Sequence, residues 1–99
     1  MVIKGTVSCP PKSAKEYAKR VTNLLPLPEY ITIKGPYTKS TSREGITAIT
    51  LYEFEESRFA EASKHIFHSL GAFYGVPGFT FSTQVWLKAK DAYESINRA

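Results

Sequence analysis

Residues 2–8, "VIKGTVS", alternate apolar and polar side chains, so an extended chain there carries one greasy face and one polar face. Pro10 and Pro11 end the strand, because proline fixes φ and offers no ladder donor. The period then changes. Ala14, Tyr17, Ala18, Val21, Leu24 and Leu25 recur at three- and four-residue spacing, with Lys15, Glu16, Lys19 and Arg20 between them. That spacing predicts an amphipathic helix, capped by Ser13 or Ser8 and ended by Pro26 and Pro28. "YITIKGPYTK" predicts a second strand with an irregularity at Gly35 and Pro36, and "STSREG" supplies a turn. "ITAITLYEFE" is apolar at nearly every position, which predicts a central strand covered on both faces. A second helix is expected from Glu56 to about Tyr74, with Gly75 as a left-handed cap and Pro77–Gly78 as a turn. "FTFSTQVWLK" reads as a fourth strand, and residues 88–99 form a helix-compatible C-terminal tail.

Strand–helix–strand–strand–helix–strand predicts a single α+β domain over residues 1–99, of the ferredoxin-like βαββαβ type: a four-stranded antiparallel sheet with two helices on one face. The parity of each strand then states what the other face carries. Ile3 and Val7, Ile31 and Ile33, Ile49 and Leu51, and Phe79, Phe81, Val85 and Leu87 are assigned to the core. Lys4, Thr6, Ser8, Tyr30, Thr32, Lys34, Ala48, Thr50, Tyr52, Phe54, Thr80, Ser82, Gln84 and Trp86 are assigned to the open face. Such a surface is too aromatic for plain solvent and too polar for a plain core, so something is expected to cover it.

Composition narrows the classes. Hydrophobic residues make up 42% and aromatics 13% of 99 residues, ample for one core and too little chain for two. The net charge of +4 is a mild imbalance spread along the chain and selects no partner by itself. A single cysteine, Cys9, excludes an internal disulfide and fits a reducing compartment, so the cytoplasm is the expected location. No stretch reads as a signal peptide or a membrane span.

Three coverings of the open face make physical sense. A second copy packed sheet against sheet would enclose a semi-polar pocket for a small aromatic or anionic organic molecule. It would be lined by Lys4, Thr6, Thr50, Tyr52, Gln84 and Trp86, with Lys34 and Tyr30 nearer the mouth. Single-stranded RNA would stack on Tyr30, Tyr52 and Trp86, with Lys4 and Lys34 on its phosphates. A noncatalytic dimer, an assembly or regulatory module, needs the interface and no pocket.

Two resemblances bear on this choice. "REGITAITLYEFEESRFAEA" resembles the third-strand region of RNA-recognition domains, but Ile46 and Ala48 stand where that family places its stacking rings. Nucleic acid therefore ranks second. The order of elements and the progression "YEFEESRFAEASKH…GVPGF" are similar to the dimeric α/β-barrel superfamily, which includes antibiotic-biosynthesis monooxygenases, haem-degrading monooxygenases and muconolactone isomerase. That resemblance implies a homodimer with a pocket, and a chemistry such as cofactor-independent oxygenation or isomerisation, with Lys4 or Tyr52 as the groups able to transfer a proton. The haem-degrading members' asparagine and tryptophan have no counterpart: the first strand offers Thr6 and Ser8, and the second helix has no tryptophan. No haem or other cofactor is expected.

In "SKHIFHSLG", His65 and His68 stand three residues apart, a spacing open to metal binding, yet Glu61 is the one further ligand nearby. No metal site is expected, and both histidines read as surface residues, His68 facing water and His65 on a flank. Cys9 precedes a helix N-terminus with Lys12 and Lys15 near it, a setting that lowers a thiol pKa, but it has no histidine base beside it and reads as packing.

Overall fold

The computed structural model describes residues 1–98. Its elements, in chain order, are β1 (Val2–Cys9), α1 (Ala14–Val21), β2 (Thr32–Thr41), β3 (Gly45–Glu53), α2 (Phe59–Gly71), β4 (Thr80–Trp86) and α3 (Ala89–Arg98). Short 3-10 turns, Pro11–Ser13 and Glu56–Arg58, lead into α1 and α2. The strands form one antiparallel sheet in the order β2-β3-β1-β4. The fold is α+β and compatible with a ferredoxin-like arrangement.

The core lies between one face of the sheet and the helices. Ile3 and Val7 of β1 and Ala48 and Tyr52 of β3 pack with Ala62, Ile66 and Leu70 of α2, and Tyr17 of α1 joins them. Tyr17 stacks on Phe73 at 5.1 Å between ring centroids, and Phe73 stacks on Phe79 at 5.0 Å. This aromatic run ties α1 to the start of β4.

Both helices are shorter than their apolar periodicity suggests. After Val21 the Thr22 hydroxyl donates to Lys19 O at 2.7 Å and the Asn23 amide donates to the same carbonyl at 3.2 Å. These side chains satisfy a helix-end acceptor, so α1 stops before Leu24 and Leu25, which fall on the following loop. At the end of α2 the bonding tightens to three-residue steps, Ala72 N–H to Ser69 O, Phe73 N–H to Leu70 O and Tyr74 N–H to Gly71 O. That turn drives Phe73 into the core at 4% exposure. Ser13 caps nothing with its side chain; its hydroxyl donates instead to Pro77 O at 2.5 Å, pinning the front of α1 to the turn before β4. Arg20 pins the other end, donating through Nη1 to Ala72 O at 3.1 Å and Tyr74 O at 2.5 Å while its Nε bonds Glu16.

The parity of β1 and β4 is as the alternation indicates, although Phe81 and Val85, assigned to the core, stay 48% and 53% exposed on the helix side and Leu87, also assigned to it, 43% exposed, but that of β3 is the reverse. Gly5, Val7 and Ile3 stand opposite Thr50, Ala48 and Tyr52, and paired residues share a face. Ala48, Thr50, Tyr52 and Phe54 therefore face the helices, while Ile49 and Leu51 share the bare face with Thr6 and Lys4. The physical reason is room. Tyr52 lies over Gly5, which has no side chain, and Ala48 is small enough to sit beneath Leu70 and Ile66. Choosing the larger aliphatics for the core is a sound prior, and here register overrides it.

β2 is an edge strand with every residue exposed. Between Lys34 and Tyr37 its register slips by one residue, a bulge at Gly35 and Pro36 where Gly35 holds φ +106°. The slip exchanges the two faces. Lys34 before it and Tyr37 and Lys39 after it all lie on the bare side, opposite Leu51, Ile49 and Thr47.

Candidate functional site

A cavity of about 220 Å³ sits between the two layers. Val7, Ala48, Thr50 and Tyr52 form its floor, Tyr17 and Leu70 of the helices and Phe73 of the turn after α2 its walls, and the loop Leu24–Leu27 closes one side. Each wall has a local cause. The alternation of β3 presents Ala48, Thr50 and Tyr52 upward together, Gly5 admits the Tyr52 ring, and the early end of α1 frees four apolar loop residues.

The lining is mostly apolar, with hydroxyls as its polar groups. Tyr52 is 8% exposed, and burial pushes its phenol above the ordinary value, an effect partly offset by the Thr50 hydroxyl donating toward the phenol oxygen. Burial likewise raises Tyr17, with the neighbouring Cys9 and Tyr52 adding to it. Both phenols are neutral at pH 7 and serve as hydrogen-bond donors and acceptors. No carboxylate or lysine lines this cavity among the described residues. An occupant is therefore mainly apolar where it meets the floor.

A second, wider cavity of about 580 Å³ adjoins the first beyond the loop, lined by Asn23, His65, Phe67 and His68 and sharing Leu24, Leu25 and Ser69 with it. Both histidines are exposed on the outer side of α2.

Of the residues singled out in the sequence, Thr50 and Tyr52 stand in the inner cavity. Lys4, Thr6, Lys34, Gln84 and Trp86 stand on the bare face, where Lys4 is paired in register with Gln84 on one side and Leu51 on the other. Lys34 is engaged by Glu53 at 3.0 Å, and this contact holds the Glu53 carboxyl below its usual range. Tyr30 belongs to neither group. It packs on the core beyond the end of β3, with the Arg58 guanidinium 4.3 Å from its ring centroid and its hydroxyl buried without a hydrogen-bond partner among the described residues. Tyr17, Ser69 and Leu24–Leu27 carry no chemical motif, and only their position after folding makes them site residues.

Cys9 is 2% exposed, and burial raises its thiol, an effect partly offset by a backbone hydrogen bond from Ile46. The expected pull of the following helix does not govern it, because Cys9 points into the core. Among the described residues no cluster of three or more His, Cys, Asp or Glu side chains could hold a metal ion, and no helix is long and apolar enough to cross a membrane.

Fold and site together define an α+β sheet-and-helix domain with an apolar pocket inside it and a bare sheet face outside. No protein-family model, curated protein or solved structure matches the chain.

Proposed function

We propose that this chain is a homodimeric, ferredoxin-like protein that binds a small, mainly apolar organic molecule in the cavity between its helices and its sheet. The carrying observation is that cavity itself, about 220 Å³ walled by both layers and furnished with two neutral phenols. An apolar recess with a few convergent polar groups is the usual form of a small-molecule site.

The topology supports the ferredoxin-like reading. β1 and β2 are joined through α1 with β3 lying between them, and β3 and β4 are joined through α2 with β1 between them. Two crossover units that each skip one strand interleave into the split βαβ arrangement. The bare face supports the dimer. Tyr37 and Trp86 are 63% and 53% exposed, and Ile49, Leu51 and Val2 lie between them half exposed. That face carries Lys4 and Lys39 as well, so the lysines would meet the partner sheet rather than the ligand floor. If the bound molecule is transformed, Tyr52 acts as a proton or hydrogen-bond donor, since burial favours its neutral form. RNA has less support: the central strands present Thr6, Thr47, Ile49 and Leu51 on the bare face, and its rings stand on the edge strands.

Titration with 1-naphthol, an uncharged aromatic alcohol, followed by amide NMR tests the reading. Shifts centred on Val7, Thr50, Tyr52 and Leu70, lost in Ala48→Leu, are expected. Shifts confined to the bare face, or none in the folded protein, would overturn it.

A further inference from the structure

The geometry points to an elongated, amphipathic ligand, a carboxylate with an apolar tail, that lies across both cavities with its tail on the sheet and its head at His65 and His68. This inference rests on the inner cavity being a binding site and adds the class of molecule it takes.

Size is the first argument. About 220 Å³ falls below the roughly 300–1,000 Å³ usual for organic ligand sites. The adjoining cavity of about 580 Å³ brings the pair into that range, and Leu24, Leu25 and Ser69 border both. A molecule that passes these three residues occupies one cleft with two chambers.

Polarity is the second argument, because the chambers differ. Inside, the floor and walls are aliphatic and aromatic with a few hydroxyls. Outside, two imidazoles and the Asn23 amide gather beside Leu25 and Phe67, which are 76% and 49% exposed. Apolar side chains left in water at the threshold gain from contact with a tail. No Asp or Glu lines either chamber among the described residues, and the nearest carboxylate on α2, Glu61, one turn before His65, is drawn toward Arg58 at 3.8 Å.

The end of α2 borders the outer chamber, and a helix C-terminus carries partial negative charge that opposes an anion. Arg20 answers that charge. Its guanidinium, paired through Nε with Glu16, donates through Nη1 to Ala72 O and Tyr74 O and so caps the carbonyls just beyond α2.

Calorimetric titration of the full chain with 1-naphthol, decanol and decanoate separates the possibilities, using the wild type and His65→Ala/His68→Ala. Both histidines are exposed, so the double variant is expected to fold, and its far-ultraviolet circular dichroism and melting temperature check this. Decanoate is expected to weaken about tenfold or more in the double variant while decanol and 1-naphthol are unchanged, the scale of one lost charge-assisted contact. Equal binding of decanoate by both proteins, or binding of 1-naphthol without binding of decanoate, would overturn the two-chamber inference and leave the inner pocket standing. Failure of all three probes would remove the inner pocket and this inference with it.

Discussion

Tyr52 rests its ring on Gly5: a β-carbon on Gly5 would stand 3.3 Å from Tyr52 Cε2. A glycine inside a central strand normally weakens it, and replacement would then stabilise. Here the ring fills the space. Gly5→Val is expected to cost about 1–3 kcal/mol through overpacking, and to displace Tyr52 into the cavity so that 1-naphthol binding falls. Urea denaturation and the same NMR titration measure the two effects on one protein.

The reversed parity of β3 makes neighbouring residues unlike. Tyr52→Asp places a charge in the core and is expected to prevent folding. Leu51→Asp, one position earlier on the bare face, is expected to leave monomer stability within about 0.5 kcal/mol but to abolish self-association in sedimentation velocity. The face is large enough for this to matter: four strands about 4.8 Å apart and some seven residues long span several hundred Å², of the order of the ~800 Å² that a standard interface buries on each side. A folded Leu51→Asp protein that still dimerises would place the partner elsewhere.

Alkaline conditions should unfold this chain early. Cys9, Tyr17 and Tyr52 are all raised in the folded state, so their contribution to stability is fully present below the ordinary values of 9.0 for the thiol and 10.0 for the phenols. It is lost as pH climbs from those values through the higher folded ones, because the unfolded chain releases its protons first. Melting temperature is expected to fall as pH rises above about 9, where the thiol and then the phenols of the unfolded chain ionise, and Tyr52→Phe to fall less steeply.

On the bare face, Lys34 supports the ionised form of Glu53 across the β2–β3 pair, 3.0 Å away. Lys34→Ala is expected to return the Glu53 carboxyl toward its ordinary value, read by side-chain carboxyl NMR during an acid titration. Stability should barely change, as is usual for exposed pairs.

Much of the fold is legible in the chain because proline, glycine and periodicity act locally. Pro10 and Pro11 end β1, the alternation of Ile3 and Val7 with Lys4 and Thr6 names its two faces, and β4 follows the same rule. What escapes is set by contacts distant in sequence. Whether Leu51 or Tyr52 enters the core depends on the gap above Gly5, and the side chosen by Tyr37 depends on the one-residue slip at Gly35 and Pro36. The candidate site shows the same division. Thr50 and Tyr52 stand out as polar groups on an apolar strand, but the sequence places them on the wrong face. Leu24 and Leu25 read as the tail of a helix until Thr22 and Asn23 are seen bonding back to Lys19.

The Arg20 clasp has a kinetic meaning. With α1 fastened to the turn after α2 through Ala72 and Tyr74, and its front held to Pro77 by Ser13, separation of the layers must break these three hydrogen bonds, whereas movement of the Leu24–Leu27 loop breaks none of them. The cleft resembles a purse sewn along its seam, with Leu24–Leu27 as the flap. Traffic in and out then keeps the tempo of a short loop, nanoseconds to microseconds, while the layers that hold the contents stay assembled.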